Sequence, residues 1–410
     1  MIVLWQTLAG YLRVNSSKFV FEGHLFMDDR LVSRNVWISS WVLSLSLFGD
    51  ALLYVILPVH ADAFGVSMLM VGFLLAVNRI IRTFAYGFIA DLAERIGLKN
   101  MCIIAASSAT LSTAGYGFFE GEILLTISRM VWGLSFAALL LVTLSYAAAN
   151  PLKTGTRIGI SRSVEQVGPL LAMTVGAWLA IFAGPRDIFL YLSLATAVSI
   201  CLAFGLNDPG KERRIKRPMV RDKIFPKPDS LDLLIFWMGA GIDGVFTVSI
   251  SLMWAQYLST EVAILIGGSI LAGRRLSELM IAPCAGIIAD RFGIRTPLFL
   301  AIALTIVGFG FIGVGLLMLG SIFLVISRGA LGTLFPAAVA RIYPKEKIKA
   351  LARNQTWRDV GAAVGPLAAG ACLAFSGPEI MHIIVAFAFI FAFTLFVRSP
   401  GWHLITQSAH

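Results

Sequence analysis

Two aspartates and a set of arginines interrupt stretches that are otherwise almost wholly apolar. Asp50, in Leu47-Phe48-Gly49-Asp50-Ala51, and Asp243, in Gly241-Ile242-Asp243-Gly244, stand beside glycine; Arg129 and Arg328 occupy other apolar stretches. Arg79, Arg82, Arg162, Glu165, Arg274, Arg275, Glu278, Arg358 and Asp359 are similarly placed. A charge at the centre of a bilayer costs about 2.5–3.5 kcal/mol on insertion scales, so each should face a wet cavity or an opposite charge. A carboxyl so placed is drawn to its neutral form by desolvation and to its charged form by a nearby arginine, the competition that loading and releasing a proton requires. Asp50 is the expected proton carrier, and Asp243 its partner or a substrate contact; the competing reading is fixed pairing with Arg79 or Arg274. Arg79, Arg82, Arg274 and Arg275 have the chemistry to clamp a carboxylate or phosphate. Glu165 and Asp359, beside Arg162 and Arg358, read as gate pairs near the cytoplasmic ends or as ordinary loop-edge pairs.

The elements holding these groups must be membrane helices. Hydrophobic residues make up 58% of the chain and charged ones 14%, against about 25% charged in soluble domains. Apolar stretches near the roughly 20 residues needed to cross a bilayer occur at 36–59, 67–90, 100–118, 122–148, 157–182, 187–206, 232–256, 262–285, 297–318, 320–343, 350–375 and 380–397. Helical periodicity and short Gly-, Pro- and Asn-marked connections exclude a β-barrel. The expected fold class is therefore an all-α polytopic membrane protein, divided into an N-terminal segment 1–35, a six-helix bundle 36–206, a basic linker 207–231, a second bundle 232–397 and a tail 398–410.

Several chemistries are not supported. Cys102, Cys201, Cys284 and Cys372 sit singly inside spans, with no zinc or disulfide spacing, and the five histidines are scattered. No P-loop occurs. No catalytic residue, metal or cofactor is expected, and a polytopic membrane transferase is the weaker alternative.

The net charge of +10 is a topology signal rather than a nucleic-acid surface. Arg13, Lys18, Arg30 and Arg34 precede span one, Lys211 to Lys227 fill the middle linker, and Arg95, Lys99, Lys153, Arg291, Arg295, Lys345, Lys347 and Lys349 occupy loops on the same side. The opposite loops carry Asp62, Glu120, Glu122, Asp187, Glu261 and Glu379, with Arg186 as their one cation. Both termini are thereby expected in the cytoplasm and the chain in the cell (inner) membrane, with membrane lipid as a contact of the basic loops. Residues 2–12 read as a short amphipathic helix, or else translation begins at Met27. Trp37, Trp41, Trp254 and Trp402 read as interface anchors, and Trp132 as packed or as a stacking surface for substrate.

The chain also repeats itself. Gly87-Phe-Ile-Ala-Asp91 and Arg129-Met-Val-Trp-Gly133 recur 199 residues later as Gly286-Ile-Ile-Ala-Asp290 and Arg328-Gly-Ala-Leu-Gly332. Spans three, six, nine and twelve lack interior charges, which leaves one, four, seven and ten to line a path and the second helix of each group to flank it. These residues resemble the major facilitator superfamily. Gly286-Ile-Ile-Ala-Asp290-Arg291-Phe-Gly293-Ile-Arg295 is similar to its loop signature G-x-x-x-D-R-x-G-R/K-R/K, while the first copy places three residues between Asp91 and Arg95. The resemblance implies two pseudo-symmetric six-helix bundles and a cytoplasmic latch at Gly87, Asp91, Arg95, Gly286, Asp290, Arg291 and Arg295, unless these form only a topological turn. It also implies that Arg129 takes part in proton coupling, unless it makes a fixed ion pair. Gly361-Ala-Ala-Val-Gly365-Pro366 in span eleven is similar to the G-x-x-x-G-P signature of the family's drug exporters, while Gly168-Pro169 in span five, where that signature belongs, lacks its upstream glycine; both Gly-Pro pairs are expected to bend their spans.

The expectation is a monomeric secondary transporter that moves a small molecule by alternating access with protons. Export of amphipathic or drug-like compounds comes first, uptake of a polar or anionic metabolite second, and a scaffold or receptor without transport third.

Overall fold

The computed structural model describes residues 29–208, 226–373 and 376–407, and among them all regular structure is helical. The helix expected at 2–12, the start at Met27 and the linker cations from Lys211 to Lys223 lie outside the described residues. Twelve long helices follow one another: α1 (Asp29–Ile56), α2 (Met68–Ile96), α3 (Leu98–Phe118), α4 (Glu122–Ala147), α5 (Thr154–Leu171, through Ala172–Gly176 into Ala177–Ala183) and α6 (Asp187–Phe204). The second set is α7 (Ser230–Trp237, through Met238–Phe246 into Thr247–Trp254), α8 (Thr260–Phe292), α9 (Arg295–Gly313), α10 (Leu317–Ile342), α11 (Lys347–Leu373) and α12 (Pro378–Val397). A short α13 (Pro400–Gln407) takes the place of the expected tail.

Nine of the described helices are long and apolar enough to cross a membrane. The other three long ones are α3, rich in Ala, Ser and Gly, and α8 and α11, which carry the densest internal charge. Burial separates the first helix of each three from the last. In the most apolar stretch of α1, α4, α7 and α10, 67%, 78%, 67% and 67% of residues are buried, against 33%, 44% and 39% in α6, α9 and α12; α2 and α5, at 50% and 28%, do not follow that division. The inner helices hold the polar groups because a charge facing acyl chains has no partner; the outer ones need none.

The signature residues are on helices rather than in loops. α2 and α8 run to Ile96 and Phe292, past the expected ends at 90 and 285, so Asp91 and Asp290 lie in the last helical turns. The turns themselves fall on Gly97 and Gly293, with φ of 91° and 83°, a backbone region that a Cβ disfavours. At α1 the helix starts at Asp29, earlier than the expected 36, and Asp29 is held by Arg157 and by Lys153 Nζ at 2.8 Å.

Two helices contain wide π-type turns, Ala172–Gly176 in α5 and Met238–Phe246 in α7. The second contains Asp243. Beyond Pro169, α5 departs from α geometry, whereas α11 is continuous α-helix through Pro366. A Cβ on Gly168 would lie 1.9 Å from Ser44 O, and one on Gly365 would lie 2.2 Å from Ala240 O. These glycines are where α5 presses on α1 and α11 on α7.

Trp402 is 6% exposed, packed edge-on against Phe393 and Phe396 with the Arg295 guanidinium 5.1 Å from its ring. It pins α13 to the bundle and is not a lipid-facing anchor. Trp132 is 1% exposed and tilted on Phe136, so it is packed.

Candidate functional site

A cavity of about 280 Å³ lies between the two halves, lined by side chains from α1, α2, α4 and α5 of the first and α7, α8, α10 and α11 of the second. No residue of α3, α6, α9 or α12 contributes.

In the first half α1 brings Asp50 against Arg129 of α4. The Arg129 Nη1 donates to Asp50 Oδ1, and Asn78 Nδ2 donates to the same oxygen at 3.3 Å. Arg129 Nε donates to Leu74 O at 2.9 Å, and its other donors reach Leu75 O, the Tyr54 hydroxyl and the Tyr116 hydroxyl, each at 3.4 Å. A guanidinium has five donors and no acceptor, so burial demands this set of oxygens. The Arg129 side chain is 1% exposed and that of Asp50 15%, which leaves the carboxylate as the member of the pair that the cavity reaches. Gly133, one turn on from Arg129, allows α4 to approach α2, where a Cβ would lie 2.5 Å from Asn78 O.

The two aspartates differ in depth. Asp50 is six residues from the end of α1 at Ile56, about 9 Å along the helix. Asp243 is central in α7, where the wide turn turns it to the arginines. Arg328 Nε and Nη2 donate to its two oxygens at 2.9 and 3.3 Å, Arg274 Nη1 donates at 3.3 Å, and Arg358 Nη2 lies at 3.5 Å. Asp50 therefore pairs with Arg129 rather than Arg79, and Asp243 with three arginines including Arg274.

Other charges join the halves. Arg82 of α2 grips Asp359 of α11 through Nε and, at 3.2 Å, Nη2, and the Tyr86 hydroxyl donates to Asp359 at 3.0 Å. Asp359 is thus not the partner of Arg358 at a loop edge; it is a buried bridge between α2 and α11. Glu165 does pair with Arg162, at 2.8 Å, and both line the cavity. Gln166 of α5 donates to Glu278 at 3.0 Å and accepts from Arg275 at 3.0 Å, both on α8. Glu278 also lies 3.5 Å from Arg328.

From this centre toward the end that carries the basic loops, contacts between halves multiply. Ser163 Oγ donates to Leu279 O at 2.6 Å, and a Cβ on Gly159 would lie 2.4 Å from Ala282 O. Gly155 and Gly286 meet so closely that a Cβ on either would strike the other's carbonyl oxygen, at 2.6 and 2.1 Å. Asp290 accepts from the Gly155 and Thr156 amides at 2.9 and 2.6 Å and from Arg341 at 3.0 Å, so the end of α8 caps the start of α5. Asp91 faces Lys349 at 3.2 Å, and Lys347 Nζ donates to Ala148 O at 2.8 Å. Gly87 has no neighbour within 4 Å of a Cβ position, while Arg291 and Arg295 lie over Phe292 and Trp402 of their own half. The two signature copies are consequently unequal, the second making the closer joint.

Among the contributors not singled out from the sequence are Asn78, Gln166, Gln355, the hydroxyls of Tyr54, Tyr86 and Tyr116, and the pairing of Arg82 with Asp359. The amides carried the same cue as the charges, a polar side chain inside an apolar helix, but long-range pairing has no local signal.

Residues 39–266, and again 231–404, match the family model described as Major Facilitator Superfamily. No curated protein matches the chain in sequence. The fold is similar to that of the human organic anion transporter MFSD10 (TETRAN), with a TM-score of 0.73, 17% identity and coverage of 89% of this chain and 99% of that one. It is also similar to the proton:xylose symporter XylE bound to 6-bromo-6-deoxy-D-glucose (0.73, 16%, 92% and 97%). For the E. coli fucose:proton symporter FucP the values are 0.69, 11%, 89% and 98%. At such identities the likeness is one of fold.

Proposed function

The chain belongs to the major facilitator superfamily, a family of multi-pass membrane transporters rather than enzymes, and from that premise we propose that it couples the movement of a small solute to protons at Asp50 and Arg129. The observation that carries the reading is the Asp50–Arg129 pair, with its arginine wholly buried and its carboxylate open to the cavity. While Asp50 is ionised it holds Arg129 and ties α1 to α4. A proton arriving from the cavity converts the carboxylate to the acid and removes the charge, and Arg129 falls back on Leu74 O, Leu75 O and the two tyrosine hydroxyls of α1, α2 and α3. Proton occupancy thus decides how the helices of the first half are held together.

Residues 36–206 and 232–397 are the two bodies that rock in this proposal, as a monomer with both termini in the cytoplasm. The contacts at Asp290, Asp91 and the Gly155–Gly286 crossing form the gate on the cytoplasmic side. A polar or anionic solute fits the cavity better than an amphipathic compound, because its lining contains two aromatic residues, Tyr54 and Phe136, among many charged ones.

The test is transport in proteoliposomes carrying a pH-sensitive dye, challenged with a panel of small solutes. The wild type should show a solute-dependent proton flux that Asp50→Asn abolishes. Equal flux in both proteins would remove Asp50 from the mechanism.

A further inference from the structure

Charge in the cavity does not balance. Its lining residues, together with the ion-pair partners behind them, comprise eight arginines and five carboxylates, a formal excess of three positive charges. Asp359 answers Arg82, Asp50 answers Arg129, and Glu165 answers Arg162. Arg328 takes Asp243 and Glu278, so Arg274 and Arg358 share an aspartate already engaged.

Two arginines remain. Among the described residues Arg79 makes no ion pair and its guanidinium no hydrogen bond, and Arg275 reaches only the neutral oxygen of Gln166. Arg79 stands on α2 of one half and Arg275 on α8 of the other. Hydrogen-bond donors are also in surplus around the cavity: the buried Nε groups of Arg162, Arg274 and Arg358 and Nε2 of Gln355 find no acceptor in the protein. Buried donors in native proteins are nearly always satisfied, and unpaired cations deep in a membrane protein mark a path for an opposite charge.

Building on the transport reading, we propose that the solute is a small organic anion carrying two negative charges, one acidic group held by Arg79 and the other by Arg275. A dianion reduces the formal excess from three to one and brings acceptor oxygens where donors outnumber them. It also joins the halves through its own body, in parallel with the bridge that Gln166 makes. Carboxylate and phosphate share this chemistry, and the experiment separates them.

Purified full-length protein in detergent is titrated with succinate, inorganic phosphate, D-xylose and tetraphenylphosphonium, with binding read by calorimetry and by the shift in melting temperature. Saturable binding of succinate or phosphate is expected, and the stronger of the two identifies the acidic group. Arg79→Gln and Arg275→Gln should each weaken it at least tenfold without lowering the ligand-free melting temperature, and Arg275→Lys should recover part of the affinity. Binding of xylose or tetraphenylphosphonium alone, no binding of either anion, or anion affinity untouched in both glutamine variants would overturn the proposal. The coupling reading fails separately: arginine-dependent anion binding with no proton-linked flux would leave the anion site and remove the coupling, whereas proton-linked flux of xylose through Asp50 would do the reverse.

Discussion

Replacing Asp290 with alanine should loosen the joint between the halves, and the coordinates give the size of the effect. The carboxylate accepts two backbone amides at the start of α5 and one bond from Arg341. Only the two amide bonds cross between halves, and they break when α5 and α8 separate. Hydrogen bonds to charged groups contribute about 1.5–3 kcal/mol each, so two at the lower limit favour the joined state by about 3 kcal/mol, roughly a hundredfold in population. Asp91 offers a sharp contrast. Its 3.2 Å ion pair with Lys349 has side chains 18% and 34% exposed, in the class of ion pairs that contribute about 0–1 kcal/mol. Spin labels at Leu152 and Phe292, exposed residues at the basic ends of the two halves, would report the separation by pulsed dipolar spectroscopy in a background without Cys201, Cys284 and Cys372. Asp290→Ala should move most of the distance distribution to longer values, and Asp91→Ala should leave it nearly unchanged. The reverse ranking, or two unchanged distributions, would refute the assignment of the joint to Asp290.

Gly155→Val places side-chain atoms where a Cβ alone would lie 2.6 Å from Gly286 O; the same labels should show the halves held apart, with no joined population. Arg82→Gln leaves Asp359, which is 1% exposed, as an uncompensated buried charge, and thermal unfolding should register a loss of about 3–5 kcal/mol. Adding Asp359→Asn should restore most of that loss, and a double variant no more stable than the single one would argue against the pair. Trp402→Ala removes a buried ring against Phe393 and Phe396 and should cost about 3–5 kcal/mol, with a lower melting temperature and normal solute binding.

Helix number and the inner position of the charged helices were legible because lipid enforces one rule along the whole chain: polar groups must turn away from it. That rule places Asp50, Arg129, Asp243 and Arg328 at the cavity before any geometry is known. It does not say which partner each takes. Arg162 and Glu165 are neighbours on one turn of α5 and pair locally, whereas Arg358 and Asp359 are adjacent in sequence but point to different partners, Asp243 and Arg82, because successive helical residues face about 100° apart. Helix ends were misjudged for a related reason. The apolar pattern stops where the hydrocarbon stops, while hydrogen bonding carries α2 on to Ile96 and α8 to Phe292, lifting the signature aspartates onto helical turns. The wide turn around Asp243 has no counterpart in composition; three glycines in Gly239 to Gly244 accompany it, and they also serve close packing against α11 and its neighbours.

The shallow position of Asp50 bears on how the protein responds to membrane voltage. Six residues from the end of α1, it lies about 9 Å along the helix from that end, about a third of the roughly 30 Å of a hydrocarbon layer if the layer begins where the helix ends. A proton reaching it from that face crosses roughly a third of the electrical drop, about 0.7 kcal/mol per 100 mV. Under the proposed coupling, solution pH on that face would outweigh voltage in the loading step, and most of the electrical work of a cycle would fall on the rocking step that follows.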